Sequence, residues 1–165
     1  DYYYDDSAPR ESQLNCFQNQ ILIAKELDLP IIVHDRQSKG DTLKVLKDMN
    51  VTKGVIHCFS GSAETAKILI NMGFMISFTG VITFKNAKRA IEALKVIPIE
   101  RLMIETDSPY MAPEPFRGRR NDSRYVKYVA EKMAEVKGIE LEQLCEITYQ
   151  NGLKFFNITK EENIQ

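Results

Sequence analysis

From Leu14 onward apolar residues recur at three- and four-residue steps: Leu14, Phe17, Ile21, Ala24 and Leu27. That period places them on one face of a helix. The helix opens after Pro9 and Ser12, and Pro30 stops it. The pattern then changes to a short continuous apolar run over 31–34, the signature of a buried strand. Asp41 is placed to cap a second helix with Leu43, Leu46 and Met49 inward. Gly54 introduces a second run over 55–59. Ser62 reads as the N-cap of a helix carrying Ala66, Leu69 and Met72, with Gly73 at its C′ position. A third run covers 74–78, followed by a helix with Ala87, Ala90, Ile91 and Leu94 that heads towards Pro98. The fourth run is 102–106. Pro109, Pro113, Pro115 and Gly118 break the next segment into a loop. Two helices close the pattern. The first runs from about Ser123 to Lys137, with Val126, Val129, Ala130 and Met133 inward and Gly138 as its stop. The second runs from about Leu141 to Gln150, with Leu141, Leu144, Ile147 and Thr148 inward. The polar tail after Ile158 is expected to fray.

Short apolar strands in alternation with amphipathic helices predict βαβ units and a parallel sheet, an α/β fold. No linker divides the chain, so residues 1–165 are read as one domain. Composition adds limits. Hydrophobic residues make up 44% of the 165, enough for a real core, and the net charge of −1 gives no whole-molecule attraction to nucleic acid. Any phosphate group must be held locally. Cys16, Cys58 and Cys145 are scattered and odd in number, which fits a reducing compartment. No apolar run is long enough for a bilayer, and a cytoplasmic protein without membrane contact is expected. The chain starts at Asp1-Tyr2-Tyr3 without methionine, as a processed chain or a piece of a longer one would.

The chemistry sits at the ends of the strands. The chain has two histidines, His34 and His57, and each ends an apolar run; a third run ends at Asp107. Strand ends of parallel sheets share one crevice. Neutral imidazole and carboxylate are ligands that divalent metals accept. A lone histidine on an apolar run is more often a core residue, but two in equivalent positions with a carboxylate beside them point to a shared cation. His34, His57 and Asp107 are therefore candidate metal ligands. Three protein ligands with open positions describe a catalytic centre. It would lower the pKa of a bound water, with Asp107 also placed to take the water's proton. Magnesium, manganese and zinc all suit this donor set.

Glu105, two residues before Asp107, faces the same way in a strand. It reads either as an outer partner of the metal ligands or as half of an ion pair with a lysine or arginine. Arg117, Arg119 and Arg120, with Asn121, follow the Asp107 strand and read as a phosphate-binding loop or a solvated charged one. Arg36, two residues past His34, is a further phosphate candidate. Cys58 is expected on the opposite strand face, as core rather than nucleophile. Backbone N–H groups at Ser60, Gly61 and Ser62 open a helix, where anions bind.

The segments Pro30-Ile-Ile-Val-His34, Gly54-Val-Ile-His-Cys-Phe-Ser-Gly61 and Ile104-Glu-Thr-Asp-Ser-Pro-Tyr110 resemble the motifs of the TatD family of metal-dependent deoxyribonucleases. So do Phe84-Lys-Asn-Ala87, Arg117-Gly-Arg-Arg-Asn121 and Glu146-Ile-Thr-Tyr-Gln-Asn151. The resemblance implies a TIM (β/α)8 barrel metallohydrolase that cleaves phosphodiester bonds in DNA, often as a 3′→5′ exonuclease, with one or two divalent ions; a few local arginines suffice for single-stranded ends of DNA, the expected partner. By position it makes His34, His57 and Asp107 metal ligands.

Members of that family open with a His-x-His strand and carry a metal-binding glutamate just before the residues that Asp1-Tyr2-Tyr3 matches. The chain thus resembles the last four strands of a barrel. Alone it is expected to keep two open sheet edges and to have little or no activity, with a risk of oligomerisation or swapping. The intact protein is expected to be an active monomer. Two other functions stay open. One keeps the metal site for another bond, as an esterase, lactonase or D-aminoacyl-tRNA deacylase. The other is a non-catalytic fragment with structural histidines.

Overall fold

Each short apolar run becomes a strand because the segment after it turns to helical period and packs back over the sheet. The computed structural model describes residues 1–159; from residue 160 the tail expected to fray lies outside them. β1 (Ile31–His34), β2 (Gly54–His57), β3 (Met75–Phe78) and β4 (Leu102–Ile104) form one parallel sheet in the order β1-β2-β3-β4. Helices α2 (Asp41–Asp48), α3 (Ala63–Asn71) and α4 (Lys88–Val96) connect successive strands. α1 (Arg10–Glu26) precedes the sheet, and α5 (Val126–Lys137) and α6 (Leu141–Phe156) follow it. Among the described residues no helix is long and apolar enough to cross a membrane.

Register gives the sheet two distinct faces. Ile32 pairs with Val55 and His34 with His57; Val55 then pairs with Met75, and Ser77 with Met103. Alternation puts Val33, Ile56, Ile76, Phe78 and Leu102 on the other face. These five are 0–3% exposed beneath the helices, with Leu46, Leu69, Leu94, Met133 and Leu144 completing the core. The first face carries the apolar Ile32, Val55, Met75 and Met103 and, further along the strands, the polar His34, His57, Ser77 and Glu105; Met103 is level with Ser77, so Glu105 lies one pleat beyond it. Ile32 is 63% exposed, on the edge strand β1. A parallel sheet with helices over one face and such a mixed inward face is the arrangement of a (β/α) barrel wall.

Several local expectations are corrected. β2 and β4 end earlier than the apolar runs, at His57 and Ile104. The backbone swings to positive φ at Cys58 (47°) and Asp107 (56°), which turns the chain just where the chemistry begins. Pairing still reaches one step beyond β4, as Glu105 N donates to the Phe78 carbonyl at 3.1 Å. Asp41 is the first residue of α2 and not its cap. Gly40, at φ +91°, takes the cap position, where an L side chain would be strained. Leu27 lies past the end of α1 and is 61% exposed instead of inward. α6 continues past Gln150 to Phe156; on it, Asn151 donates to the Ile99 and Leu102 carbonyls at 2.9 and 2.8 Å and ties the helix to the start of β4.

Asp41 instead fastens the N-terminal segment. Its carboxylate accepts from Arg10 Nε and Nη2 at 2.5 and 2.7 Å and from the Tyr2 hydroxyl at 2.8 Å. The Arg10 guanidinium, with Tyr2, holds the Asp41 pKa down from 3.8 to about 2. A folded-state value below the unfolded one stabilises above the unfolded pKa and loses that contribution as pH falls through about 2. The urea midpoint of the chain is therefore expected to fall between about pH 4 and about pH 2, and Asp41→Asn to flatten part of that slope.

Candidate metal centre

β1 and β2 deliver His34 and His57 side by side, as direct register partners with ring centroids 5.8 Å apart. Asp107 arrives from the turn after β4, its Oδ1 3.7 Å from His57 Nε2. That is too long for a hydrogen bond. Two donors each about 2.0–2.2 Å from a common ion stand about 3–4 Å apart, so the separation suits a shared cation. His57 Nδ1 is turned away, 2.6 Å from Glu105 Oε2. That is the usual way a ligating imidazole is oriented by a carboxylate. His34 Nε2 lies 2.9 Å from Asp1 Oδ2, and its side chain is 53% exposed. Partial desolvation and the neighbouring His57 push its pKa down, which favours the neutral, ligating form. Among the described residues no three His, Cys, Asp or Glu side chains stand as a ready metal-holding group. The donors fit a divalent ion as a spaced pair, His57 and Asp107, with His34 alongside.

Among the described residues Glu105 pairs with His57 and not with a lysine or arginine. Besides His57 it accepts the Cys58 N–H at 2.8 Å and the Ser77 hydroxyl at 2.6 Å. Ser77 was not anticipated from the pattern. Its signal was a single hydroxyl inside the apolar run of 74–78, a strand whose four residues are all buried. Cys58, expected in the core on the opposite strand face, is half-buried in the turn after β2; its Sγ meets Thr79 Oγ1 at 3.2 Å, and burial pushes its pKa up.

The basic residues divide. The Arg36 guanidinium lies 3.4 Å from the Tyr3 ring centroid and donates to the Tyr4 hydroxyl at 3.3 Å, bracing the tyrosine run beside His34. Arg117 sits 4.2 Å from the centroid of Phe84, which ends the short turn after β3. Arg119 and Arg120 are exposed. Asn121, expected to touch substrate, is instead 4% exposed. Its amide donates to the Thr106 and Tyr110 carbonyls at 2.7 and 2.6 Å and its oxygen accepts from Asp122 N. It therefore holds the loop that carries Asp107 from within. Ser62 caps α3 by accepting from Thr65 N at 3.2 Å.

The family model for TatD related DNase matches residues 1–157. The chain belongs to this family. It is 48% identical over 160 residues to the uncharacterized metal-dependent hydrolase YabD of Bacillus subtilis, covering 96% of the chain and 62% of that protein. To the uncharacterized metal-dependent hydrolase YcfH of Escherichia coli K12 it is 44% identical over 160 residues, covering 96% and 60%. The solved structure of YjjV, a TatD homologue from Escherichia coli K12, superposes with a TM-score of 0.89 at 28% identity, over 96% of this chain and 61% of that one. The TatD chain described here thus spans about three fifths of the length of these relatives. Its four-stranded parallel sheet with flanking helices is the α/β architecture of TatD structures.

Proposed function

We propose that the protein is a metal-dependent hydrolase acting on phosphodiester bonds in DNA. The observation that carries this reading is the pairing of His34 with His57 at adjacent strand ends, with Asp107 3.7 Å from His57 Nε2. In this reading His57, Asp107 and His34 hold a divalent ion, Mg, Mn or Zn. Such an ion, when bound, acidifies water and neutralises charge on a phosphoryl oxygen. The chain's own residues do the rest. Glu105 orients His57. Asp107, with two carboxylate oxygens, accepts the proton of the attacking water. Arg117, Arg119 and Arg120, on the loop that leaves the Asp107 turn, supply fork-shaped donors for phosphate. The short reach of these groups suits a single-stranded end better than a long duplex, which the net charge of −1 would not attract. The spaced pair of donors makes a weak centre, so turnover by the 165-residue chain is expected to be slow.

A side-by-side assay decides the substrate class. End-labelled single-stranded DNA, a lactone and a D-aminoacyl-tRNA are incubated with the intact protein and excess Mn2+, and in parallel with the 165-residue chain. The expected result is DNA cleavage by the intact protein that Asp107→Asn removes, with less turnover of the two esters and little or none of any substrate by the chain alone. Faster lactone or aminoacyl ester hydrolysis would move the assignment to an esterase, and no Asp107-dependent turnover by the intact protein would contradict it.

A further inference from the structure

Both oxygens of Glu105 are engaged in different tasks. Oε1 accepts the buried Ser77 hydroxyl at 2.6 Å and the Cys58 N–H at 2.8 Å. Oε2 faces His57 Nδ1 at 2.6 Å. Ser77 sits in β3 and Cys58 N in the turn after β2, so two backbone-anchored donors fix one oxygen and aim the other. A carboxylate can only accept. Nδ1 must therefore carry the ring proton, which leaves the Nε2 lone pair free on the side of Asp107. We propose that Ser77, acting through Glu105, is a positioning residue that sets the tautomer and orientation of His57 before any ion arrives. This deepens the metal-binding role proposed for His57 and rests on it. The arrangement removes two freedoms that an end-of-strand histidine otherwise keeps, the choice of protonated nitrogen and the flip of the ring.

The chain has two histidines, so its imidazole 15N spectrum is assignable. The ion-free protein is measured at about pH 8, above the ordinary imidazole pKa of about 6.5. His57 is expected with a protonated Nδ1 and a bare Nε2. His34, whose Nε2 faces Asp1 Oδ2 at 2.9 Å, gives the reverse pattern and serves as an internal reference. Glu105→Gln is the decisive variant. The Ser77 and Cys58 donors demand an acceptor, so the amide oxygen replaces Oε1 and the NH2 group meets Nδ1. The His57 proton is then forced to Nε2, and Zn2+ affinity is expected to fall about 10–100-fold, as for other outer-shell partners.

Ser77→Ala leaves Glu105 held only by the Cys58 N–H; the Nδ1 proton is expected to exchange with solvent faster and Zn2+ affinity to fall by less than in Glu105→Gln, and Ser77→Thr to restore both. These variants keep the test open should Glu105→Gln misfold. A wild-type His57 protonated on Nε2, an unchanged pattern in Glu105→Gln, or Ser77→Ala identical to wild type would overturn the proposal. A reversed tautomer in Glu105→Gln with no Zn2+ bound by the wild type would instead defeat the metal assignment and leave the positioning intact.

Discussion

Replacing His57 with alanine is expected to weaken Zn2+ and Mn2+ binding by about 100-fold or more, beyond the 10–100-fold typical of losing an outer-shell partner. The imidazole is the hub of the centre. Its Nδ1 is held by Glu105 and its Nε2 lies 3.7 Å from Asp107. In the proposed centre, deleting it removes a ligand and leaves Asp107 without its partner donor. The fold should survive, because Glu105 keeps the Ser77 and Cys58 donors and the apolar core lies on the opposite sheet face. Calorimetric titration of wild type and variant, alongside thermal unfolding without metal, separates the two effects. A variant with undiminished metal content would mean that the histidines are structural, as in the non-catalytic reading.

Gly80→Ala is expected to be among the most damaging single substitutions to stability. The residue begins the short 3-10 turn Gly80–Thr83 after β3. A Cβ there would lie 2.1 Å from the Met111 carbonyl oxygen and 2.7 Å from Pro113 N. Both are backbone atoms, so no side chain can swing aside. Overpacking of buried sites costs about 1–3 kcal/mol and occasionally more; contacts this close argue for about 3 kcal/mol or above. The displaced segment belongs to the loop that follows Asp107 and is tied to the same turn through Glu114 N and Thr83 Oγ1 at 2.8 Å. Metal affinity should therefore fall with stability. Gly152→Ala is the control: it lies within α6 with nothing inside 4 Å of an added Cβ. There helix propensity predicts a gain of up to about 1 kcal/mol. Urea unfolding of both variants measures the contrast, and a neutral Gly80→Ala would show that the loop gives way freely.

Much of this was legible in the chain because period and chemistry coincide locally. The runs ending at His34 and His57 are continuous and β-branched, and their flanking segments have helical period, so strand, direction and shared crevice follow from neighbours in sequence. Register made the two imidazoles direct partners, which the equal placement of each at the end of its run anticipated. What escaped depends on contacts far apart in sequence. Ser77 meets Glu105 across 28 residues and Arg10 meets Asp41 across 31, and no local pattern encodes either. Asp41 looked like a cap because its residue type suits one; Gly40 won because the backbone there needs a positive φ. Asn121 looked like a substrate residue because it follows three arginines, yet its amide is used up on carbonyls of the Asp107 loop. Leu27 had the right period but lies past the last turn of α1.

The central claim is that His34, His57 and Asp107 serve one cation. A crystal of the chain grown with Zn2+ and measured at the zinc absorption edge tests it most directly. The account predicts one anomalous peak with an imidazole nitrogen from each histidine and an Asp107 oxygen about 2.0–2.2 Å away. A peak bound elsewhere, or one that touches a single member of the three, would contradict it.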